Sequence, residues 1–293
     1  MSTPKANVEL QRTVVSRVSR GSKLWRHAAI HLFLLTGSLL MIIPFFWMIS
    51  SSLKSLNEMY AFPPVWIPGR LLWENYIYMF NSAPWGKFLL NTTKITLLVV
   101  VGQLLTCSMG AYAFARLKFP GRDALFTVYL ATMMIPYQVT MIPTFKIIKS
   151  LGWLNTHNAL IVPALFSAFG TFLLRQFFLT LPKELEQSAM IDGCSFPQIY
   201  RHIMLPNAKP ALVTLAIFIF MGTWNDFLGP LIYINKLELK TLTLGLATFQ
   251  GTYTTQWNYM MAGAVIVTLP VLLVYFLAQR HFVEGVVMSG IKE

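Results

Sequence analysis

Charged residues are scarce in this chain. Asp, Glu, Lys and Arg make up 12% of its 293 residues, and only 11 are acidic. Soluble domains carry about 25% charged residues, so an ordinary water-soluble fold is excluded. Cysteine is rarer still, with only Cys107 and Cys194. One falls in an apolar run and the other in a polar connection, so no disulfide is expected. Five histidines (His27, His31, His157, His202 and His281) lack metal-ligand spacing. No glycine-rich loop ends in Gly-Lys-Ser/Thr, so if ATP drives this protein another subunit must hydrolyse it. Nucleophile and metal constellations are missing too, which argues against a membrane enzyme. Strict polar–apolar alternation is absent from a run such as 31–49, which excludes a transmembrane β-barrel.

What is abundant is apolar: 55% hydrophobic residues, including 22 Phe, 15 Met, 11 Tyr and 8 Trp. The few charges leave long gaps, such as those between Arg26 and Lys54, Lys94 and Arg116, and Lys149 and Arg175. About 20 apolar residues are needed to cross the hydrocarbon as a helix. The gaps predict an all-α integral membrane protein of six spans, at 29–51, 89–114, 124–147, 158–180, 211–234 and 261–281. The fifth is interrupted by Asp226. Residues 29–281 form one membrane domain, flanked by an N-terminal segment (1–28) and a tail (282–293). The first span reads as an anchor that stays, being too long for a signal-peptide core. Residues 8–26 suit either a surface helix or a disordered tail.

Six spans put both termini on one side. Fifteen of the 23 Lys and Arg residues then share that side: six in the N-terminal tail, then Arg116, Lys118, Arg122, Arg175, Lys183, Arg201, Lys209, Arg280 and Lys292. Basic residues concentrate in cytoplasmic loops, so both termini are expected to be cytoplasmic. The +12 charge then requires no nucleic acid.

The outer connection 52–88 carries Pro63, Pro64, Pro68 and Gly69, with Trp66, Trp73, Tyr76 and Trp85 suited to the headgroup level. The outer loop 235–259 is long enough to meet an external partner, though its composition equally fits a plain surface loop. Pro44, Pro136, Pro143, Pro163, Pro230 and Pro270 interrupt spans; some such breaks mark binding regions and others are packing features. Asp226, following Trp224 and Asn225, is costly at that depth. It reads either as an interfacial carboxylate satisfied locally or as part of a substrate path. Asn91 and Gln103 are similarly lumen candidates or interhelical hydrogen-bonding residues.

The inner connection 181–209 predicts two short helices joined at Gly193. Pro182 opens the first, Glu184 and Glu186 charge its first turn, and Asp192-Gly193 makes the turn. Gly193 is followed at fixed spacing by Ile203, Leu205 and Pro206. This pattern resembles the signature loop of permease subunits in binding-protein-dependent ABC importers: Glu-Ala-Ala, three residues, Gly, nine residues, Ile-x-Leu-Pro. Ala189 keeps the second alanine, while Gln187 and Ser188 stand in for the glutamate and first alanine. Phe62-Pro63-Pro64, Glu74-Asn75-Tyr76, Gly110-Ala111-Tyr112-Ala113, Phe119-Pro120-Gly121, Arg175-Gln176-Phe177, Trp224-Asn225-Asp226 and Gly285 extend the similarity. It is closest to the MalG-like permeases of maltose-type carbohydrate importers.

The resemblance implies a type I importer permease fold in a bacterial or archaeal inner membrane. It implies a second, MalF-like permease, two cytoplasmic ATPases that bind ATP and Mg, and an external solute-binding protein. ATPase coupling would fall to Glu184, Leu185, Gln187, Ser188, Ala189, Asp192, Gly193, Ile203, Leu205 and Pro206. Binding-protein contact would fall to Thr248, Gln250, Gly251, Thr252 and Tyr253. The substrate class implied is a sugar or oligosaccharide. A permease for glycerol phosphate or an acidic oligosaccharide, and an ion-coupled secondary transporter, are the competing readings. The last would favour intramembrane charge pairs.

Overall fold

The computed structural model describes the backbone over 5–251 and 255–290, and side chains over 25–251, 255–277 and Gln279. The described chain is built from helices: α1 (Lys5–Ser52), α2 (Leu56–Met59), α3 (Glu74–Ser82), α4 (Trp85–Arg116), α5 (Arg122–Ala131), α6 (Tyr137–Ser150), α7 (Asn158–Ile161), α8 (Ala168–Thr180), α9 (Glu184–Ile191), α10 (Phe196–Ile199), α11 (Leu205–Asn207), α12 (Lys209–Trp224), α13 (Leu228–Tyr233), α14 (Leu242–Leu246) and α15 (Trp257–Gly290).

Four stretches are long and apolar enough to cross a membrane unaided: Trp25–Ser52, Trp85–Arg116, Asn158–Thr180 and Trp257–Leu277. Two bent pairs bring the number to six. In the first, Arg122–Met134 meets Tyr137–Ser150 at 99°. Pro136 lacks a backbone donor and Ile135 before it is extended, so the helix cannot run through. In the second, Phe196–Asn207 turns by 78° into Lys209–Trp224. That bend separates the 181–209 loop from the span proper. The expected span 211–234 is therefore shorter as a helix: α12 ends at Trp224, and α13 is a separate six-residue helix beyond the break.

Prolines divide into two groups. Pro136 and Pro163 stand at breaks, whereas Pro44, Pro143 and Pro270 lie inside continuous helices. Within the Asn158–Thr180 stretch, Pro163–Leu165 forms a tight turn between α7 and α8. Ser167 then caps α8 by accepting from the Gly170 amide at 3.1 Å.

The main core lies between α4, α8 and α12 and includes Ile95, Val99, Cys107, Ala111, Leu174, Phe178 and Leu215. Gly170 lets α8 lie close to α4, because a Cβ there would sit 2.9 Å from Cys107 Sγ. A second cluster gathers Met79, Trp85, Phe88, Trp224, Leu242, Phe249 and Val267 at the opposite end from the 181–209 loop. By contrast, α1 is peripheral. It packs on α15, while Trp25 through Phe46 are exposed along most of their length. Of the four rings expected at headgroup level, Trp66 and Trp73 are exposed. Tyr76 is half-buried against the Ser52 hydroxyl at 2.7 Å, and Trp85 is buried against Phe88 and Phe249.

Candidate functional site: a hairpin at one end, a pinned loop at the other

The 181–209 loop folds into the expected pair of short helices. At the end of α9 the Gly193 amide donates to Met190 O at 3.1 Å and the Cys194 amide to Ala189 O at 2.9 Å. This paired closure needs a left-handed residue at the turn, and Gly193 supplies φ +83°. The chain re-enters a helix through Ser195, whose amide and hydroxyl both donate to the Gln198 carboxamide oxygen at 2.7 and 2.8 Å. A single wide turn, Tyr200–Met204, then carries the chain into α11.

The hairpin has two faces. Ala189, Ile199, Met204 and Ala208 are buried in the main core. Leu185, Met190, Ile191 and Phe196 are exposed, Ile191 to 86%. Solvent-exposed apolar side chains grouped around one turn mark an interaction surface. Glu184, Gln187, Ser188, Asp192, Gly193 and Pro206 are exposed alongside them, and Ile203 and Leu205 are half-buried. Ala189 thus serves the chain's own packing rather than the exposed surface.

Sequence reading missed what holds the hairpin to the spans. Arg116, in the last turn of α4, pairs with Glu186 of α9 at 2.8 Å, with side chains 4% and 10% exposed. The same guanidinium donates to the Phe178 and Leu181 carbonyls at 2.6 Å each, closing the end of α8. Burial pushes the Glu186 carboxyl above the usual carboxylate range, against the opposing pull of Arg116 and Lys183. Removing one partner of a buried pair costs about 3–5 kcal/mol. Arg175 makes a smaller brace nearby, donating to Phe114 O at 3.2 Å and lying 4.1 Å from the Phe126 ring centroid. No local pattern could have revealed the Arg116–Glu186 pair, whose members are far apart in sequence.

At the opposite end three broken pieces meet. Asp226 is half-buried in the break between α12 and α13, its carboxylate accepting from the Gly229 amide at 3.2 Å. Its carbonyl accepts from the Thr243 hydroxyl at 2.6 Å. Leu160 of α7 lies against Gly229, and Tyr233 of α13 packs with Ile148 of α6 and Ala159 of α7. Asp226 is thus engaged by hydrogen bonds from α13 and from the 235–259 loop.

Trp224 is buried, its indole donating to Val267 O at 3.1 Å, so it ties α12 to α15. Asn225 is exposed and its carboxamide donates back to Met221 O at 2.8 Å. Gln103 is half-buried on α4, near the Pro163–Leu165 turn: the neighbouring Gly102 lies under Leu165.

Asn91 has a structural task of its own. Its carboxamide donates to the carbonyls of Glu238 and Lys240, at 2.9 and 3.0 Å. Thr92 beside it accepts from the Leu242 amide at 2.9 Å. Asn155, at φ +56°, accepts from the amides of Asn235 and Lys236 at 2.7 and 3.1 Å. His157 contacts Leu239 O at 3.1 Å. The start of the 235–259 loop is thus pinned by backbone contacts to α4 and to the turn before α7. Farther along, Thr248 is exposed and donates to Gly245 O at 2.6 Å, and Gln250 and Gly251 are exposed beside it. Thr252 and Tyr253 lie outside the described residues.

Comparison with known proteins follows the same outline. Two curated relatives are close. The arabinooligosaccharides transport system permease protein AraQ of Halalkalibacterium halodurans is 37% identical over 227 residues, covering 77% of this chain and 81% of that one. The sn-glycerol-3-phosphate transport system permease protein UgpE of Pectobacterium atrosepticum is 35% identical over 267 residues, covering 88% and 95%. Among solved structures, a bacterial ABC transporter involved in the import of the acidic polysaccharide alginate aligns with a TM-score of 0.76. Identity there is 24%, over 88% of this chain and 97% of that one. The MetNI methionine ABC transporter aligns at 0.52, with 17% identity over 71% and 96%. These two structural matches establish the permease fold. The family model for the inner membrane component of binding-protein-dependent transport systems matches residues 102–287, and the chain belongs to that family.

Proposed function

We propose that this chain is one of two permease subunits in an ATP-driven importer of the bacterial or archaeal cytoplasmic membrane, forming half of the path for a sugar or oligosaccharide. The observation that carries the reading is the exposed apolar face of Leu185, Met190, Ile191 and Phe196 around the Gly193 turn. On this reading the face seats in a cytoplasmic ATPase that binds ATP and Mg. A second, MalF-like permease completes the path, and a solute-binding protein delivers substrate at the pinned 235–259 loop. Hydrolysis belongs to the ATPase, so this chain is not itself an enzyme. Asn91 and Trp224 hold the scaffold of the path, and Gln103, Asn225 and Asp226 remain the residues proposed to face it.

The carbohydrate assignment draws on the relatives, one named for arabino-oligosaccharides and another for a glycerol phosphate. ATP hydrolysis by the reconstituted complex, measured with its binding protein and a panel of neutral oligosaccharides, uronate oligomers and glycerol phosphate, tests it. Stimulation by a neutral oligosaccharide is expected, and stimulation by glycerol phosphate alone would refute the substrate class. Ile191→Asp places a charge on the exposed face without touching the core. It should release the ATPase on purification while the permease stays in the membrane. Full ATPase retention in that variant would defeat the docking assignment.

A further inference from the structure

Helix α4 reaches both ends of the protein. It is unbroken over 32 residues, about 48 Å at the rise of an α-helix. The path from α5 to α6 and the approach to α8 are both interrupted, and α12 stops at Trp224. At one end α4 holds the hairpin through Arg116, which ion-pairs with Glu186 of α9 and donates to the Phe178 and Leu181 carbonyls where α8 ends. At its other end Asn91 and Thr92 hold the backbone at Glu238, Lys240 and Leu242.

We propose that Arg116 and Glu186 form the joint through which displacement of the hairpin moves α4 as a rigid rod and so shifts segment 238–242 at the opposite end. Arg116 and Glu186 are positioning residues on this account. The inference rests on the reading that the hairpin docks on an ATPase. Apart from the Ser108 and Tyr200 hydroxyls, which meet at 2.7 Å, the other contacts between hairpin and spans are largely apolar side chains in the main core. Such contacts permit sliding, whereas a buried guanidinium held by one ion pair and two carbonyl hydrogen bonds resists it. The far-end contacts are to backbone atoms, so motion of α4 is passed to the loop whatever side chains it carries.

A purely structural role would make Arg116 a cap for α8 and nothing more. Glu186→Gln separates the two, because it keeps the side chain's size and leaves both Arg116-to-carbonyl bonds in place. The assay uses the complete complex in proteoliposomes, with Lys236→Cys as an external reporter labelled by a membrane-impermeant maleimide. Lys236 is exposed, and only its amide is used in the Asn155 contact. With Glu186 intact, the labelling rate should differ between the resting and the ATP-trapped complex. With Glu186→Gln, the ATPase should remain bound, the rate difference should vanish, and solute imported per ATP should fall about fivefold or more. Glu186→Asp should restore part of both.

An unchanged rate difference in the Gln variant overturns the joint, whatever happens to uptake. Loss of ATPase retention in that variant also overturns it, by assigning the pair to docking. Should the unsubstituted complex itself fail to retain an ATPase, the docking reading fails first, and the two failures are thereby distinguished.

Discussion

The Gly193 turn isolates a backbone effect from a packing effect. Its φ is +83°, and a Cβ built there meets nothing within 4 Å. Any cost of substitution in the chain itself therefore comes from the left-handed conformation, about 1–2 kcal/mol for an ordinary L residue. A β-branched side chain suits that region worst, and asparagine tolerates it. Gly193→Val should accumulate in the membrane normally yet lose most uptake, while Gly193→Asn keeps most of it. Uptake assays beside membrane immunoblots check this, and equal uptake in the two variants would sink the conformational argument. This residue was legible because Asp192-Gly193 is a local signal with fixed spacing to Ile203, Leu205 and Pro206. Arg116 was not. It counted only as one basic residue among many, because its partners Glu186, Phe178 and Leu181 become neighbours only when α4 and α8 pack. Ala189 shows the converse, since matching a motif position says nothing about which face of a helix the residue occupies.

Elements are where reading proline by itself fell short. Pro136 and Pro163 end helices, while Pro44, Pro143 and Pro270 are carried within them. Proline removes a donor in every case. Whether the chain then breaks depends on the flanking residues and on what packs there, neither of which composition records. The same limit applied to Asn91, whose depth and polarity suited a lumen residue equally well. Its carboxamide holds two carbonyls of the 238–240 segment, and a typical intramolecular hydrogen bond contributes about 0.5–1.5 kcal/mol net. Asn91→Ala should therefore loosen the segment, seen as faster external proteolysis between 236 and 250. Asn91→Asp should behave like Ala, because a carboxylate cannot donate to either carbonyl. A variant with wild-type proteolysis but an altered half-saturating solute concentration would return Asn91 to the path.

For the molecule as a whole, apolar content foretold the helical membrane fold, and the charge gaps located the spans to within a few residues except where breaks intervene. What they left out is the uneven division of labour: α4, α8 and α12 share one core while α1 stands outside it with its apolar surface exposed. Orientation rests on charge. The side assigned fifteen of the 23 basic residues is also the side of the hairpin, whose own Lys183, Arg201 and Lys209 contribute to that excess. Retention of basic loops in the cytoplasm then argues for the proposed orientation, with the hairpin inside and the pinned 235–259 loop outside. The two cysteines make a direct test practical. Cys107 is buried and Cys194 lies half-buried on the hairpin, so neither should react in intact cells with an impermeant maleimide. A cysteine introduced at exposed Lys236 should react readily, and Cys194 should become the more reactive of the two native thiols once the membrane is permeabilised. Labelling of Cys194 from outside, with Lys236→Cys silent, would turn the molecule over and put the hairpin on the side where no ATPase could reach it.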